Sequence, residues 1–230
     1  MTKPLYVEGQ EPVATPANFK TILELSLENQ NMPGLVSAYR TVFAEPPWNE
    51  SWTAQAIQEK IAREVTDDLS FLTLMLGPNE AEVHGFSWGA VIRADNLLAR
   101  VTLALDKEPD DLKGLVTALN RRGVERLVYF DEFAISASAR GGIEPVRFLF
   151  RPGLSLGRKE NARGVLFWST PQSKIVPLAR LMGFEFIFET QMGKLPVGFL
   201  FTPDLEAMLK VTQSFSTKSV RRLLVAGPAY

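Results

Sequence analysis

The segment Ala134–Glu144, Ala-Ile-Ser-Ala-Ser-Ala-Arg-Gly-Gly-Ile-Glu, follows an apolar β-rich run and precedes a helical one. A glycine-rich turn at the start of a helix aims free backbone N–H groups at one point, and the helix dipole favours an anion there. Arg140 adds a fixed cation whose planar fork suits phosphate oxygens. The same Arg-Gly-Gly also reads as a plain turn whose glycines permit positive φ. The GxGxxG spacing of a dinucleotide site is absent. Gly153-Leu-Ser-Leu-Gly-Arg-Lys lacks both the four-residue spacing and the closing GK[ST] of a P-loop.

The chain's 230 residues include no cysteine and a single histidine, His84. That composition excludes disulfides, thiolate nucleophiles and multi-histidine metal cages, so no metal is expected. A serine hydrolase would depend on the one imidazole, and no Gly-x-Ser-x-Gly elbow occurs. Standing alone beside Gly85, His84 reads as a structural histidine. The formal net charge is −1 with no long basic run, which argues against a nucleic-acid surface. Arg121-Arg122, Arg158-Lys159 and Arg221-Arg222 are short pairs of the kind found on solvated surface. No apolar run approaches the roughly 18 residues of a membrane span, and the first residues lack an apolar leader. The expectation is a cytoplasmic protein without nucleic-acid or membrane partners.

The elements that must position Arg140 and its neighbours follow from apolar spacing. Residues 1–18 are rich in proline and read as an arm; Phe19–Glu28 alternates as a half-buried strand. Apolar spacings of three and four predict helices over Met32–Ala44, stopped by Pro46-Pro47, and over Ala54–Val65. Leu69–Leu76 and Val83–Ala94 read as a hairpin. Its second arm places Gly85 and Gly89 where strand entropy makes glycine costly, so something should approach that backbone closely. Residues 93–111 read as irregular, with a strand at Val101–Leu105, and Asp110–Arg122 as a helix ended by Gly123. Strand Val124–Ile135, helix Ile143–Leu156 and strand Gly164–Trp168 form a parallel pair with a crossover helix. Helix Pro171–Met182, strands Gly183–Phe188 and Leu195–Phe201 and a short helix Pro203–Leu209 complete one α/β domain over 19–210, with a tail over 211–230.

This order of elements resembles the GNAT superfamily of acyl-CoA-dependent N-acyltransferases, over about Phe19 to Phe201. The strings that carry the resemblance are Ala38-Tyr-Arg-Thr-Val-Phe-Ala-Glu-Pro-Pro-Trp48 leading to Trp52-Thr53, then Gly85-Phe-Ser-Trp-Gly89, then Tyr129-Phe-Asp-Glu-Phe-Ala-Ile135 with Arg140-Gly-Gly-Ile143, and Leu178-Ala-Arg-Leu-Met-Gly183-Phe184-Glu185. The resemblance implies a GNAT-like α/β fold: a mixed, mostly antiparallel twisted sheet with a splayed parallel strand pair, flanked by helices. It implies acetyl-CoA, or another acyl-CoA, as cosubstrate. The backbone of Phe133 and Ile135 would meet the pantetheine, and Arg140, Gly141, Gly142 and Ile143 would line the pyrophosphate. Arg158 or Lys159 could reach the 3′-phosphate. The sequence departs from the family loop: without a gap it places Ile143 and Pro145 where small residues stand, with a gap it places Glu144 at the last of them, and it has Ala179 at the position of a tyrosine that protonates the leaving thiolate.

The implied reaction, attack of an amine on a thioester, needs a base, donors for the developing oxyanion and an acid for the sulfur. Glu132 is the preferred base and Asp131 its alternative; strand alternation would turn the two to opposite sides. Either also reads as an ion pair at the sheet surface. Tyr129 is a candidate acid, and Ser169 and Thr170 are further donors. Trp48, Trp52 and Phe43 read either as the wall of an acceptor pocket or as a hydrophobic plug between helices. The expected function is an N-acetyltransferase acting on an amine by direct attack, with capacity for a homodimer; the alternative is a catalytically silent GNAT-fold binding or regulatory module.

Overall fold

The apolar spacing read from the sequence sorts the chain into helices and strands on two sides of one sheet. A computed structural model describes residues 18–22, 30–65, 69–77, 82–105, 107–140 and 143–214. Strand β1 is Asn18–Ile22, and helices α1 (Met32–Phe43) and α2 (Ala54–Glu64) follow. Helix α1 buries Met32, Leu35, Val36, Tyr39, Val42 and Phe43, the three-and-four stripe of a core-facing helix. Helix α2 begins where the Thr53 hydroxyl accepts the Ala56 N–H at 3.1 Å, an N-cap that satisfies one orphan donor. Next come β2 (Ser70–Leu76), β3 (Val83–Arg93), α3 (Ala94–Leu105) and α4 (Lys113–Arg121). Gly123, at φ +65°, ends α4 in a conformation that L side chains resist. Strand β4 (Arg126–Ile135), α5 (Glu144–Lys159), β5 (Val165–Ser169), α6 (Ile175–Leu181), β6 (Glu185–Met192), β7 (Leu195–Thr202) and α7 (Leu205–Ser214) complete the described chain.

The seven strands form one sheet in the order β1-β2-β3-β4-β5-β7-β6. Every pairing is antiparallel except β4 with β5. Helices α1 and α2 pack on Leu72, Leu74, Phe86, Trp88 and Ala134, and α3 and α4 on Leu127, Tyr129, Leu166 and Phe199, all on one face. The opposite face, with Phe71, Val128, Phe130, Val165 and Phe167, is covered by α5, α6 and α7. This three-layer architecture is the GNAT-like α/β fold implied by the resemblance.

Two registers shape the centre of the sheet. Strand β4 pairs with β5 only through Val128–Val165, Tyr129–Leu166 and Phe130–Phe167, although β4 runs on to Ile135. Beyond Phe130 the two strands part. On its other edge β4 carries a bulge: Trp88 lies opposite Glu132 and Gly89 opposite Phe130, so Asp131 is the extra residue. A Cβ on Gly89 would sit 2.0 Å from the Tyr129 carbonyl oxygen, so the close approach signalled by that glycine is made by β4 itself.

The chain departs from its sequence reading at several elements. Residues 94–105, read as irregular with a strand, are helix α3; Ala94, Leu97, Val101 and Leu105 form its buried stripe, and the β-branched Val101-Thr102 pair disguised it. Helix α6 is shorter than read, β6 runs on to Met192, and α7 extends past residue 210 into the expected tail. The arm at 1–17, the second half of the first predicted strand and the tail beyond 214 lie outside the described residues.

Candidate functional site

Where β4 leaves β5, the face of the sheet covered by α1–α4 carries a buried cluster of charges. Glu132 and Asp131 are only 7% and 5% exposed. Alternation alone would send them to opposite sides, but the bulge brings both to the face covered by α1, α2 and α3. Glu132 Oε1 accepts the Tyr39 hydroxyl of α1 at 3.2 Å and pairs with Lys60 Nζ of α2 at 3.1 Å. Lys60 Nζ also pairs with Glu64 Oε1 at 2.9 Å, and Trp88 Nε1 donates to Glu64 Oε2 at 2.9 Å. Arg100 of α3 clasps Asp131, with Nε donating to Oδ1 at 2.8 Å and a second guanidinium nitrogen to Oδ2 at 2.6 Å. That second nitrogen also donates to the Glu64 carbonyl at the end of α2. The orphan carbonyl of a helix terminus thereby gains a cationic donor.

Burial decides the protonation chemistry of this cluster. It pushes the Glu132 carboxyl up to about 7, with Glu64 adding to the rise and Lys60 opposing it. Burial also raises Asp131 above the usual carboxylate range against the pull of Arg100. For Lys60, burial favours the neutral amine, but Glu132 and Glu64 outweigh it and hold the ammonium well above its usual range. Burial, reinforced by Glu132, keeps Tyr39 protonated. Glu132 is therefore a carboxylate that exchanges its proton near neutrality, beside a cation that does not.

Tyr129 lies on the same face as Glu132 and is fully buried. Its hydroxyl has no hydrogen-bond partner among the described residues, and burial first, with Asp131 next, raises its pKa well above the ordinary value. Ser169 and Thr170 are buried at the end of β5, the Thr170 hydroxyl also without a partner among the described residues. Phe133 stacks edge-on to Phe150 at 5.0 Å on the opposite face. The Ile135 carbonyl accepts Arg140 Nε at 2.8 Å, and Arg140 also pairs with Glu45 at 2.7 Å. Ile143 caps α5 through its carbonyl, which accepts the Arg147 N–H, while its side chain is buried in the core. Gly141 and Gly142 lie outside the described residues.

Other sequence candidates separate from this centre. Arg158 and Lys159 close the C-terminal end of α5, about 20 Å along the helix from its start at the loop, so they do not serve an anion bound there. Trp48 packs against Phe43 and Trp168, as a plug would. Trp52 instead lines a cavity of about 580 Å³ between α1 and α2, shared with Arg40 and Glu50. Glu50 accepts the Trp52 N–H at 2.7 Å, and burial raises its pKa. His84 faces Glu82 at 3.7 Å and its carbonyl accepts the Ser136 N–H, a structural placement. Among the described residues, no group of three or more His, Cys, Asp or Glu side chains could hold a metal ion. No described helix is long and apolar enough to cross a membrane.

Tyr39, Lys60, Glu64, Trp88 and Arg100 were not picked out by sequence reasoning. A signal for two of them was present: Lys60 and Glu64 fall on the same stripe as Ile57 and Ile61, where charges belong only if they are paired.

This order of elements, with one parallel pair in an otherwise antiparallel sheet, has an overall fold that recurs in solved structures. Arabidopsis thaliana NAA60, determined with a bisubstrate analogue, is 12% identical with a TM-score of 0.52, covering 80% of this chain and 96% of its own. The fold is that of the GNAT acetyltransferases. Drosophila melanogaster polyamine N-acetyltransferase, which forms N-acetylagmatine, shares the GNAT fold at 12% identity and a TM-score of 0.51, over 75% of this chain and 95% of its own. The NatC complex, solved with Gag peptide and CoA, shares it at 11% identity and a TM-score of 0.52, over 81% and 97%. Neither a family model nor a curated protein matches the sequence.

Proposed function

We propose that the protein is an acyl-CoA-dependent N-acyltransferase that transfers an acetyl group to an amine by direct attack. The observation that carries this reading is the parting of β4 from β5 after Phe130–Phe167, with Glu132 immediately beyond on β4. Strand backbone that leaves its partner is open to hydrogen-bond an extended amide-bearing chain, and Arg140 stands at the end of the same strand. Residues 133–135 of β4 and Arg140 are the groups that would hold the cosubstrate. Solved neighbours of this fold support the choice, since NAA60 has been determined with acetyl-CoA and NatC with CoA.

A bound acyl-CoA supplies an electrophilic thioester and a thiolate leaving group. The protein's part is proton handling. As the amine nitrogen bonds to the acyl carbon and the C–S bond breaks, the amine proton passes to Glu132, whose pKa of about 7 suits a general base at neutral pH. Tyr129 keeps its hydroxyl proton and has no partner for it among the described residues, so we assign it as a hydrogen-bond donor to the departing sulfur in a chain with Ala179 buried in the core. No protein thiol enters, since the chain has no cysteine.

Titration calorimetry with CoA and acetyl-CoA tests the reading. Saturable binding that weakens in Arg140→Ala supports it, and no binding at millimolar CoA refutes it. An amine panel then tests Glu132→Gln, and unchanged turnover would remove Glu132 as base. A second reading, a silent GNAT-fold binding module, is favoured by a specific observation: Glu132 is buried and already engaged by Tyr39 and Lys60, as a structural ion pair would be. CoA binding without acyl transfer to any amine would select it.

A further inference from the structure

Arg140 is held in two directions. Its Nε donates to the Ile135 carbonyl at 2.8 Å, and a terminal nitrogen pairs with Glu45 Oε2 at 2.7 Å. The two side chains are about one-third exposed, at 37% and 32%, so the pair lies within reach of a solute. Glu45 belongs to the turn that joins α1 to α2. That turn is compact: the Trp48 and Asn49 amides donate to the Glu45 carbonyl and the Glu50 amide to the Phe43 carbonyl. Its Trp48 lies edge-on to Trp168 at 5.7 Å. Trp168 follows Phe167, the last β5 residue paired with β4. The α1–α2 turn is therefore fastened on both sides of the place where the strands part, to Arg140 after β4 and to Trp168 on β5.

We propose that Glu45 is an internal competitor for Arg140, and that the α1–α2 turn is a latch an incoming pyrophosphate must release. A carboxylate and a phosphate present the same paired acceptor oxygens to a guanidinium, so one can replace the other. The pyrophosphate carries more charge and more acceptors, and it wins Arg140 at the cost of the Glu45 contact. Affinity for the cosubstrate is thereby set below what Arg140 alone would give. This inference rests on the acyl-CoA reading above.

The test is calorimetric titration of wild type, Glu45→Gln, Arg140→Gln and the double variant with CoA, and with pantetheine, which lacks the pyrophosphate. The glutamine at position 45 keeps side-chain size, and a thermal melt of each variant verifies folding. Glu45→Gln is expected to bind CoA about two- to fivefold more tightly than wild type, the range of a part-exposed ion pair. Pantetheine affinity should not change, and in the Arg140→Gln background the Glu45 substitution should have no effect. Equal or weaker CoA binding by Glu45→Gln, or an equal gain for pantetheine, overturns the latch while leaving the acyl-CoA reading intact. No CoA binding by wild type or Glu45→Gln overturns both.

Discussion

Lys60 is the group on which the buried carboxylates most depend, and replacing it by Met keeps the side-chain length while removing the charge. Glu64 would retain Trp88 at 2.9 Å and Arg63 at 3.6 Å, but among the described residues Glu132 would retain only the Tyr39 hydroxyl at 3.2 Å. Removing one member of a buried ion pair typically costs about 3–5 kcal/mol, because a charge is left uncompensated. Glu132 can escape part of that by taking a proton, so a loss of about 2–3 kcal/mol is expected near pH 8. The pH dependence carries the sharper information. Without Lys60 the folded-state pKa of Glu132 rises further above its unfolded value, and stability held in the protonated form is lost as pH rises. Over the interval from pH 7 upward where wild type is ionised and the variant is not, the gap should widen by up to about 1.4 kcal/mol per pH unit. Below about pH 6, with Glu132 protonated in both proteins, the gap should be smallest. Urea unfolding followed by tryptophan fluorescence at pH 5.5, 7 and 8.5 measures it. A gap that is constant with pH, or that narrows as pH rises, would refute the role assigned to Lys60; Glu132→Gln in the same background should flatten the dependence.

Trp88→Phe removes the only indole donor to Glu64 and should cost about 1–3 kcal/mol by chemical denaturation, since the carboxylate stays buried. Gly89→Ala would place a Cβ 2.0 Å from the Tyr129 carbonyl, so the bulge cannot persist; a loss of more than about 3 kcal/mol, or failure to accumulate as folded protein, is expected in thermal melts. Tyr129→Phe removes a buried hydroxyl without a partner and should leave stability within about 1 kcal/mol of wild type or raise it, while lowering acyl transfer. With a competent amine, the acid limb of kcat/KM should fall near pH 7 in wild type and vanish in Glu132→Gln, as a steady-state pH profile will show.

Much of the sheet was legible because its strands are uniformly apolar or alternate, and α1, α2, α4 and α5 declare themselves by spacing. Helix α3 was not, since Val101 and Thr102 weight local propensity toward a strand while only packing on Leu127 and Tyr129 makes the stripe at 94, 97, 101 and 105 decisive. For the site, Glu132, Asp131 and Tyr129 could be picked out from one strand. Their common face could not, because it depends on a bulge whose register is set by a second strand. The partners of Glu132 come from positions 39 and 60, brought to it by helix packing over separations no local pattern encodes. Glu45 opposite Arg140 is a contact of the same kind.

The three rungs between β4 and β5 also have a mechanical meaning. Among the described residues they are the strand pairing that joins the β1–β4 half of the sheet to the β5–β7–β6 half, and parallel rungs are slightly weaker than antiparallel ones. A molecule threaded into the gap would extend that seam as a stitch does, adding hydrogen bonds where the strands have none. The ligand would then complete the sheet as well as occupy it. Amide exchange at residues 131–135 and 168–170 should slow on binding more than exchange in the outer strands, and the protein's resistance to shear between its halves would rise with cosubstrate concentration.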